Sequence, residues 1–548
     1  MEPTQAERAD LLTEAVAEAI GSHPRGERLD RIEAMAVAYD RIRRAVDRNP
    51  LIAAWFTPPE AVERLVAHAM ARNPGTGWTA CDPACGTGHI LVGVARALGR
   101  AGWDRTRVAA AVHGMDLDPM AVAIARVRLS LVVGGTPRQW ARRIRPGDAL
   151  DAEAWGGRRF EAVIGNPPFL GQLAATSART ADARRARAER FGGAVRRYAD
   201  EATAFLLLGC RLAPAGTVSM LQPRSTMAAQ DALAVRQACE ATHALVAVET
   251  VPDRTFDADV QTVIVALCAA RPRPRAVLAI GEAGQVHRLG RGRLRGGAWS
   301  AALAAVHGVP DVRLRGDGTL GAIAEAGADF RQHYYGLRGR IHEAPAGGPG
   351  AADRKLVTVG AIGCATLHWG DAPVRIHGRA WKAPVVRPSQ CTGDRVLAPW
   401  CASRSGPKLV MATQTRVPEG WVDADGTVLP SVPVITVRAR DGRAPWKAAA
   451  ALLSPPVAAE CWWRHAGAGM SANALRIGPR QLMDLPTPAD YGAWHTGAAC
   501  LRRWQAANDP RARARHARRF ADAMCDAYRI RPADRRTLLG WWLPLAIG

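Results

Sequence analysis

The stretch Asp82-Pro83-Ala84-Cys85-Gly86-Thr87-Gly88 lies between a strand-like segment, Trp78–Cys81, and a helix-like segment, Gly88–Leu98. Glycines in such a turn remove side chains at the point where a ligand has to approach the backbone. The amides at the start of the following helix point toward the same place. The stretch therefore predicts a small-molecule site at the end of a strand in an α/β fold.

Strand-like and helix-like segments alternate on both sides of this turn, which predicts an α/β fold with a Rossmann-like, doubly wound and largely parallel sheet. Helices are expected at Gly88–Leu98, Pro119–Leu129 and Thr203–Leu212. The expected strands are Trp78–Cys81, Ala109–Gly114, Ile144, Phe160–Ile164, Thr217–Leu221, Ala244–Glu249 and Gln261–Cys268.

Acidic residues follow three successive strands, and the carboxyl ends of such strands meet at one edge of the sheet. Asp82 suits an ammonium group, Asp116 a pair of ribose hydroxyls, and Asp148 an adenine amino group. Each could be an ordinary loop solubiliser or cap, but all three beside a glycine turn favour a cofactor site. The GTG loop lacks the GxGxxG pattern of nicotinamide enzymes, which disfavours that cofactor.

Ile164-Gly165-Asn166-Pro167-Pro168-Phe169 follows the strand Phe160–Ile164, and so is expected at the same sheet edge. The Asn166 side-chain oxygen and the Pro167 carbonyl can accept both N–H groups of an exocyclic amine. The two prolines stiffen the turn and have no N–H of their own. Phe169 offers a face for a planar base. An Asn-Pro-Pro turn also occurs in ordinary loops, so its position after a strand and after Asp148 is the informative feature.

Taken in order, these motifs resemble those of S-adenosylmethionine-dependent amino-group DNA methyltransferases, mainly N6-adenine and gamma-like, of restriction-modification or phage-defence systems. The resemblance covers residues 50–270 and includes Thr57-Pro58-Pro59, where Thr57 can cap the following helix. It implies catalytic roles for Asn166, Pro167, Pro168 and Phe169, and base stacking for Phe256. It implies S-adenosylmethionine binding by Thr57, Pro58, Asp82, Ala84, Gly86, Gly88, Asp116, Asp148 and Asn166.

The second half of the chain carries weaker patterns. Leu452–Val457 and Leu482-Met-Asp-Leu-Pro-Thr-Pro488 resemble the end of type I target-recognition domains, and Phe520–Tyr528 resembles their terminal helix. An unrelated α+β domain is the competing interpretation. The expected segments are N-terminal helices (1–50), a methyltransferase domain (51–275), a connecting region (276–355), an α+β recognition domain (356–490) and C-terminal helices (491–548).

Composition points to a polyanionic partner. The chain of 548 residues has 73 basic and 50 acidic residues, a net charge of +23 and a pI near 10.7. This charge favours double-stranded DNA, although a GC-rich genome also enriches arginine. No apolar run is long enough for a membrane span, and eleven scattered cysteines support neither disulfides nor zinc. A cytoplasmic protein without a metal or a built-in nuclease is expected, and a partner subunit of a restriction or defence system stays open.

The predicted activity is adenine N6-methylation in duplex DNA, with three alternatives left open. N4-cytosine transfer uses the same chemistry, although serine more often precedes the two prolines there. Protein-glutamine methyltransferases also carry Asn-Pro-Pro but are shorter. A non-catalytic DNA-binding subunit of a defence complex is the third, and intact Asp82, Gly86, Gly88 and Asn166 argue against it.

Overall fold

The computed structural model describes residues 4–46, 57–72, 74–151, 153–169, 189–195, 201–252, 261–269, 274–294, 296–329, 331–469 and 474–547. The chain divides into two compact units, Met1–Val306 and His307–Gly548, which we call unit 1 and unit 2. The division falls inside the segment 276–355, which the sequence analysis assigned to a connecting region.

Unit 1 is built on a nine-stranded sheet. Its strands are β1 (Ala80–Asp82), β2 (Val112–Asp116), β3 (Ile144–Pro146), β4 (Ala162–Gly165), β5 (Thr217–Pro223), β6 (Ala244–Thr250), β7 (Thr262–Cys268), β8 (Ala276–Ile280) and β9 (Val286–Gly290). Their order in the sheet is β3-β2-β1-β4-β5-β7-β6-β8-β9. The strands from β3 to β5 are parallel, whereas β7 is antiparallel to both of its neighbours. The predicted doubly wound α/β class is confirmed, and the strand order reverses between β1 and β4, which is where such sheets bind ligands.

The helices of unit 1 are α1 (Gln5–Ala19), α2 (Arg25–Val46), α3 (Pro59–Ala69), α4 (His89–Arg100), α5 (Arg105–Ala111), α6 (Pro119–Val132), α7 (Glu201–Leu212), α8 (Leu233–Thr242) and α9 (Ser300–Val306). A capping box starts α1: Thr4 N donates to Glu7 Oε2 (2.8 Å), and Glu7 N donates to Thr4 Oγ1 (3.2 Å). Apolar residues of α1 and α2 pack against α6. The two N-terminal helices therefore form part of the layer that covers the sheet.

Two differences from the sequence prediction concern the strands of unit 1. Ala109–Ala111, expected at the start of a strand, belongs instead to α5, so that prediction is wrong. Asp104 accepts from Arg107 N at 2.9 Å and starts this helix, which continues through three alanines before β2 begins. In addition, β8 and β9 extend the sheet past residue 275, where the sequence pattern predicted the domain to end.

Unit 2 combines small sheets with helices. Its strands are β10 (Ala324–Ala328), β11 (Ile341–Glu343), β12 (Arg354–Val357), β13 (Ile362–Gly363), β14 (Thr366–Leu367), β15 (Val374–Ile376), β16 (Arg379–Trp381), β17 (Pro384–Val386), β18 (Lys408–Met411), β19 (Gln414–Thr415), β20 (Gly420–Asp423), β21 (Val428–Pro430), β22 (Ile435–Ala439) and β23 (Leu475–Arg476). Two sheets have four strands each, in the orders β10-β22-β18-β20 and β11-β17-β12-β21. The buried ion pair Lys408–Asp423 joins β18 to β20.

The helices of unit 2 are α10 (Arg331–Gly336), α11 (Leu397–Arg404), α12 (Trp446–Leu452), α13 (Pro455–His465), α14 (Pro479–Met483), α15 (Tyr491–Ala506), α16 (Pro510–Ala527) and α17 (Pro532–Ile547). The last three form the predicted helical end of the chain. Trp504, Phe520 and Trp542 pack between them, with ring centroids 5.6–6.2 Å apart. Within the described parts of the chain, no helix is both long and apolar enough to cross a bilayer.

Candidate active site

The glycine turn after β1 needs glycine at both positions that the sequence singled out. Gly86 and Gly88 have φ angles of +50° and +86°, in the left-handed region. A Cβ added to Gly88 would also lie 3.0 Å from the Cβ of Ala125 in α6. Gly88 therefore allows α4 to begin directly against α6, and the turn keeps its backbone free of side chains.

Two carboxylates flank this turn at the ends of β1 and β2. Asp116 Oδ2 accepts from Gly86 N at 2.7 Å, and Asp116 Oδ1 accepts from Asp118 N at 3.0 Å. Asp82 Oδ1 accepts from Ala84 N at 3.0 Å. The turn is thus held by the same acidic residues that were predicted to bind a cofactor.

Asp82 lies in an electrostatically unfavourable position for an anion. Its side chain is 1% exposed, and this burial, together with the negative charge of Asp116, raises the Asp82 pKa to about 8 despite the hydrogen bond from Ala84. A positively charged ligand beside Asp82 would favour the ionised form. Burial of this carboxyl group would therefore be offset by a cationic group, and binding of such a group by Asp82 stays a prediction.

Asp148 follows β3, the strand that pairs with β2, and lies at the same edge of the sheet. Gly147 N donates to the backbone oxygen of Asp116 at 2.8 Å, and Leu150 N donates to Asp148 Oδ1 at 2.9 Å. Asp148 borders a cavity of about 520 Å³, whose wall also includes Asp10 of α1 and Arg126 of α6. Of the predicted cofactor residues, Asp148 is the one that lines this cavity.

Asn166 reaches the same edge because β4 pairs in parallel with β1. A Cβ added to Gly165 would lie 3.3 Å from Asp82 Oδ1, so the two strand ends are in close proximity. Asn166 Nδ2 donates to Thr57 Oγ1 at 3.0 Å. Thr57 is buried and does not cap α3, whose N-cap is Pro58 with no side-chain hydrogen bond, so the predicted capping role is wrong. Its hydroxyl instead orients the Asn166 amide.

The remaining predicted residues surround Asn166 or lie outside the described chain. Pro167 is buried, and Pro168 is half-buried. Phe169 is half-buried and packs against the apolar core of unit 1. Phe256, the candidate for base stacking, lies outside the described residues. Among the residues that the structure describes, no group of three or more His, Cys, Asp or Glu side chains could hold a metal ion.

Helix α2 contributes residues to this site that the sequence analysis missed. Asp40 Oδ2 accepts from Thr87 Oγ1 in the glycine turn at 3.1 Å and lies 3.2 Å from His89 Nε2. The neighbouring Tyr39 hydroxyl donates to Asp118 Oδ2 at 2.8 Å. One helix thus holds both loops, after β1 and after β2, that are proposed to contact a cofactor.

Arg128 completes this network from α6. Its Nη1 donates to the Thr87 carbonyl at 2.7 Å, and its Nη2 lies 2.5 Å from Glu33 Oε2 of α2 and 3.2 Å from His89 Nδ1. Burial lowers the pKa of Arg128, and Glu33 opposes that shift. A sequence signal was present: Arg126 and Arg128 interrupt an otherwise apolar helix, and buried arginine requires partners.

A family model and two curated proteins match parts of the chain. Residues 47–290 match the family model described as N-6 DNA methylase. A 114-residue stretch is 28% identical to the methylase subunit of the type I restriction enzyme MjaIX of Methanocaldococcus jannaschii, covering 21% of this chain and 18% of that protein. A 58-residue stretch is 48% identical to the adenine-specific methyltransferase PglX of Streptomyces coelicolor, covering 9% and 5%.

A solved structure of the type IIL restriction-modification enzyme MmeI in complex with DNA has a similar fold. The TM-score is 0.54 with 13% identity, over 94% of this chain and 76% of that one. The chain spans less than a fifth of the length of the two curated relatives. The match of residues 47–290 to the N-6 DNA methylase model confirms the resemblance predicted from the motifs of this region.

Proposed function

We propose that this protein transfers a methyl group from S-adenosylmethionine to the N6 amino group of an adenine flipped out of duplex DNA. The match of residues 47–290 to N-6 DNA methylases supports the reaction class. The observation that carries the proposal is the oriented amide of Asn166, which lies beside Asp82 at the carboxyl edge of the sheet.

The orientation of this amide matters because its two ends have opposite hydrogen-bonding roles. Thr57 Oγ1 accepts from Nδ2, so Oδ1 is the end that can accept an N–H group from a substrate. The Pro167 carbonyl is the second acceptor. An amine that donates both of its N–H groups becomes more pyramidal, and its lone pair turns away from the ring. Asn166 and Pro167 thereby make a conjugated, weakly nucleophilic amine reactive through positioning.

S-adenosylmethionine supplies, when bound, a methyl group on a sulfonium centre. We assign its ammonium to Asp82, its ribose hydroxyls to Asp116 and its adenine amino group to Asp148. Gly86 and Gly88 keep side chains away from it, and burial of Asp82 favours a cationic ligand. The remaining proposed contacts are Thr57, Pro58, Ala84 and Asn166.

Duplex DNA is the proposed substrate, and the positive charge of the chain supports it. A base inside a duplex has to leave the stack to reach Asn166, at a cost of roughly a few kcal/mol. Phe169, and Phe256 by family resemblance, are proposed to hold the extruded base. We place recognition of the DNA sequence in residues 356–490 of unit 2.

The test is single-molecule sequencing of DNA from cells that express the protein or its Asn166→Ala variant. We expect N6-methyladenine at one recurring motif with the wild-type protein and none with the variant. N4-methylcytosine would correct the target base. Absence of any modified base in both, with duplex binding retained by the purified protein, would contradict the proposal in favour of a binding subunit.

A pair of Thr57 variants tests whether the orientation of the Asn166 amide contributes to catalysis. Thr57→Val keeps the side-chain shape but removes the acceptor for Asn166 Nδ2, so kcat should fall by a larger factor than the affinity for S-adenosylmethionine. Loss of one such hydrogen bond costs about 1–2 kcal/mol, or roughly tenfold in kcat. Thr57→Ser retains the hydroxyl and should restore most of the rate. Equal rates for the two variants would remove Thr57 from the mechanism.

A further inference from the structure

The helical hairpin of α15 and α16 carries an unusual concentration of positive charge at its loop end. Arg502 and Arg503 lie near the end of α15, and four more exposed arginines lie within the first ten residues of α16. All six are exposed. We call the set the arginine face: Arg502, Arg503, Arg511, Arg515, Arg518 and Arg519.

The charges of the arginine face are not neutralised inside the protein. Across the part of the chain that the structure describes, none of the six guanidinium groups has a hydrogen-bond or ion-pair partner. Neighbouring arginines behave differently: Arg513 Nη1 donates to the Trp504 carbonyl at 3.3 Å and its Nη2 to Cys364 O at 3.3 Å, and Arg535 pairs with Asp526. Within α15 and α16, the described arginines without such a partner are therefore the exposed ones.

The sequence of α15 and α16 offers few acidic side chains that could offset the arginine face. Asp509 is the only acidic residue between positions 491 and 521. The first turn of α16 contains no acidic residue, and Arg511 lies there against the positive end of the helix dipole. Like charges this close repel one another. A polyanion on this face would remove both penalties.

The spacing along α16 fits an extended row of anions. Arg511, Arg515 and Arg518 follow each other at intervals of four and three residues, which places them on one side of the helix. The seven residue steps from Arg511 to Arg518 rise about 10 Å along the helix axis. Duplex DNA rises about 3.4 Å per phosphate on each strand, so this row is about three phosphates long.

We propose that the arginine face binds the phosphate backbone of duplex DNA independently of base sequence. Guanidinium groups bind phosphate oxygens in a bidentate manner, which suits a contact that fixes position without reading bases. The inference rests on the proposed function, in which duplex DNA is the substrate. It adds to that function a second, sequence-independent DNA contact in unit 2.

The test removes four charges from the full-length protein in the variant R511A/R515A/R518A/R519A. Binding to a fluorescent duplex of arbitrary sequence, about 30 base pairs long, is measured by anisotropy over a range of salt concentrations. The slope of log Kobs against log salt should become less steep by about 0.9 per lost contact, up to about 3.6. At about 0.1 M salt, two lost contacts correspond to roughly 60-fold weaker binding.

A matched control makes the same change in net charge at other places in unit 2. Arg313, Arg315, Arg443 and Arg536 are also exposed, but acidic residues lie within three positions of each along the chain. Their fourfold alanine variant should keep the wild-type salt slope. The fourfold lysine variant of Arg511, Arg515, Arg518 and Arg519 should keep most of it as well, since lysine retains the charge.

Thermal unfolding separates a binding role from a structural one. Without DNA, the R511A/R515A/R518A/R519A variant should unfold at the wild-type temperature or above it, because repulsion is relieved; a clear fall would mean that the arginines are structural. Equal salt slopes for this variant and its matched control would overturn the proposal, as would binding of polyglutamate in preference to duplex DNA. Methyl transfer by the wild-type protein is scored separately, so a failure of the proposed reaction is distinguishable from a failure of the arginine face.

Discussion

Helices α6 and α16 use arginine in opposite ways. In α6, Arg126 and Arg128 are each 2% exposed, and both are bonded to backbone carbonyls and to carboxylates of the N-terminal helices. In α16, Arg511, Arg515 and Arg518 are exposed and have no partner among the described residues. Arginine side chains thus bond α6 to the N-terminal helices in unit 1, whereas in unit 2 they present charge to solvent.

The arginines that contribute to the net charge of +23 therefore have different roles in the two helices. A buried arginine is compensated within the fold, so its removal leaves other groups unsatisfied. An exposed arginine without a partner costs little to remove and contributes mainly to long-range attraction. The comparison can be tested by substitutions of the same kind in the two helices.

The largest effect is expected for Arg128→Met. The substitution leaves Glu33 and the Thr87 carbonyl without their donor. Breaking a buried pair costs 3–5 kcal/mol, and we expect about 3 kcal/mol, since 32% of the Glu33 side chain is exposed. Hydrogen exchange of α4 and α6 amides in the full chain measures this local stability. Unchanged protection would show that the network is not stabilising.

The second prediction concerns Asp82, a buried carboxyl group of unit 1 that has no ion pair among the described residues. Its pKa of about 8 means that it is largely protonated at neutral pH. A cationic ligand binds the ionised form better, so raising the pH toward 8 should strengthen S-adenosylmethionine binding. One pH unit corresponds to about 1.4 kcal/mol, so Kd should fall about tenfold per unit below pH 8 and then level off.

Calorimetric titrations at several pH values measure this dependence. The D82N variant is titrated in parallel, because it reports any ionisation of the ligand itself. Asp116 is the other carboxylate that acts on Asp82, and it stays unchanged in both proteins. Parallel pH profiles for the wild type and the variant would contradict the assignment of the ammonium to Asp82.

The smallest effect is expected for Arg518→Met, the counterpart of Arg128→Met in α16. Its free energy of unfolding should change by less than about 0.5 kcal/mol, as is usual for exposed positions. The salt slope of duplex binding should still become less steep by about 0.9. Hydrogen exchange of α16 and anisotropy titrations test the two parts. Destabilisation comparable to that of Arg128→Met would break the distinction between the helices.

Much of unit 1 could be predicted from the sequence because its signals are local. The glycine turn, the acids at strand ends and the Asn-Pro-Pro turn each occupy a few consecutive residues. Their convergence followed from the rule that parallel strands end at one edge. The prediction of a strand from Ala109 was wrong for an equally local reason. Asp104 caps a helix that runs to Ala111, and the Val- and Ala-rich sequence of this stretch did not distinguish a helix from a strand.

The sequence by itself determined the sheet class, the glycine turn and the residue types at the edge of the sheet, because these depend on short-range periodicity and backbone conformation. Only the tertiary structure decided which groups meet. Thr57 and Asn166 are 109 positions apart, and Glu33 and Arg128 are 95 apart. Such pairs arise from strand order and helix packing, which bring distant segments together, and no local pattern specifies them. The same holds for the arginines, whose partners, or lack of them, follow from which face of a helix the fold covers.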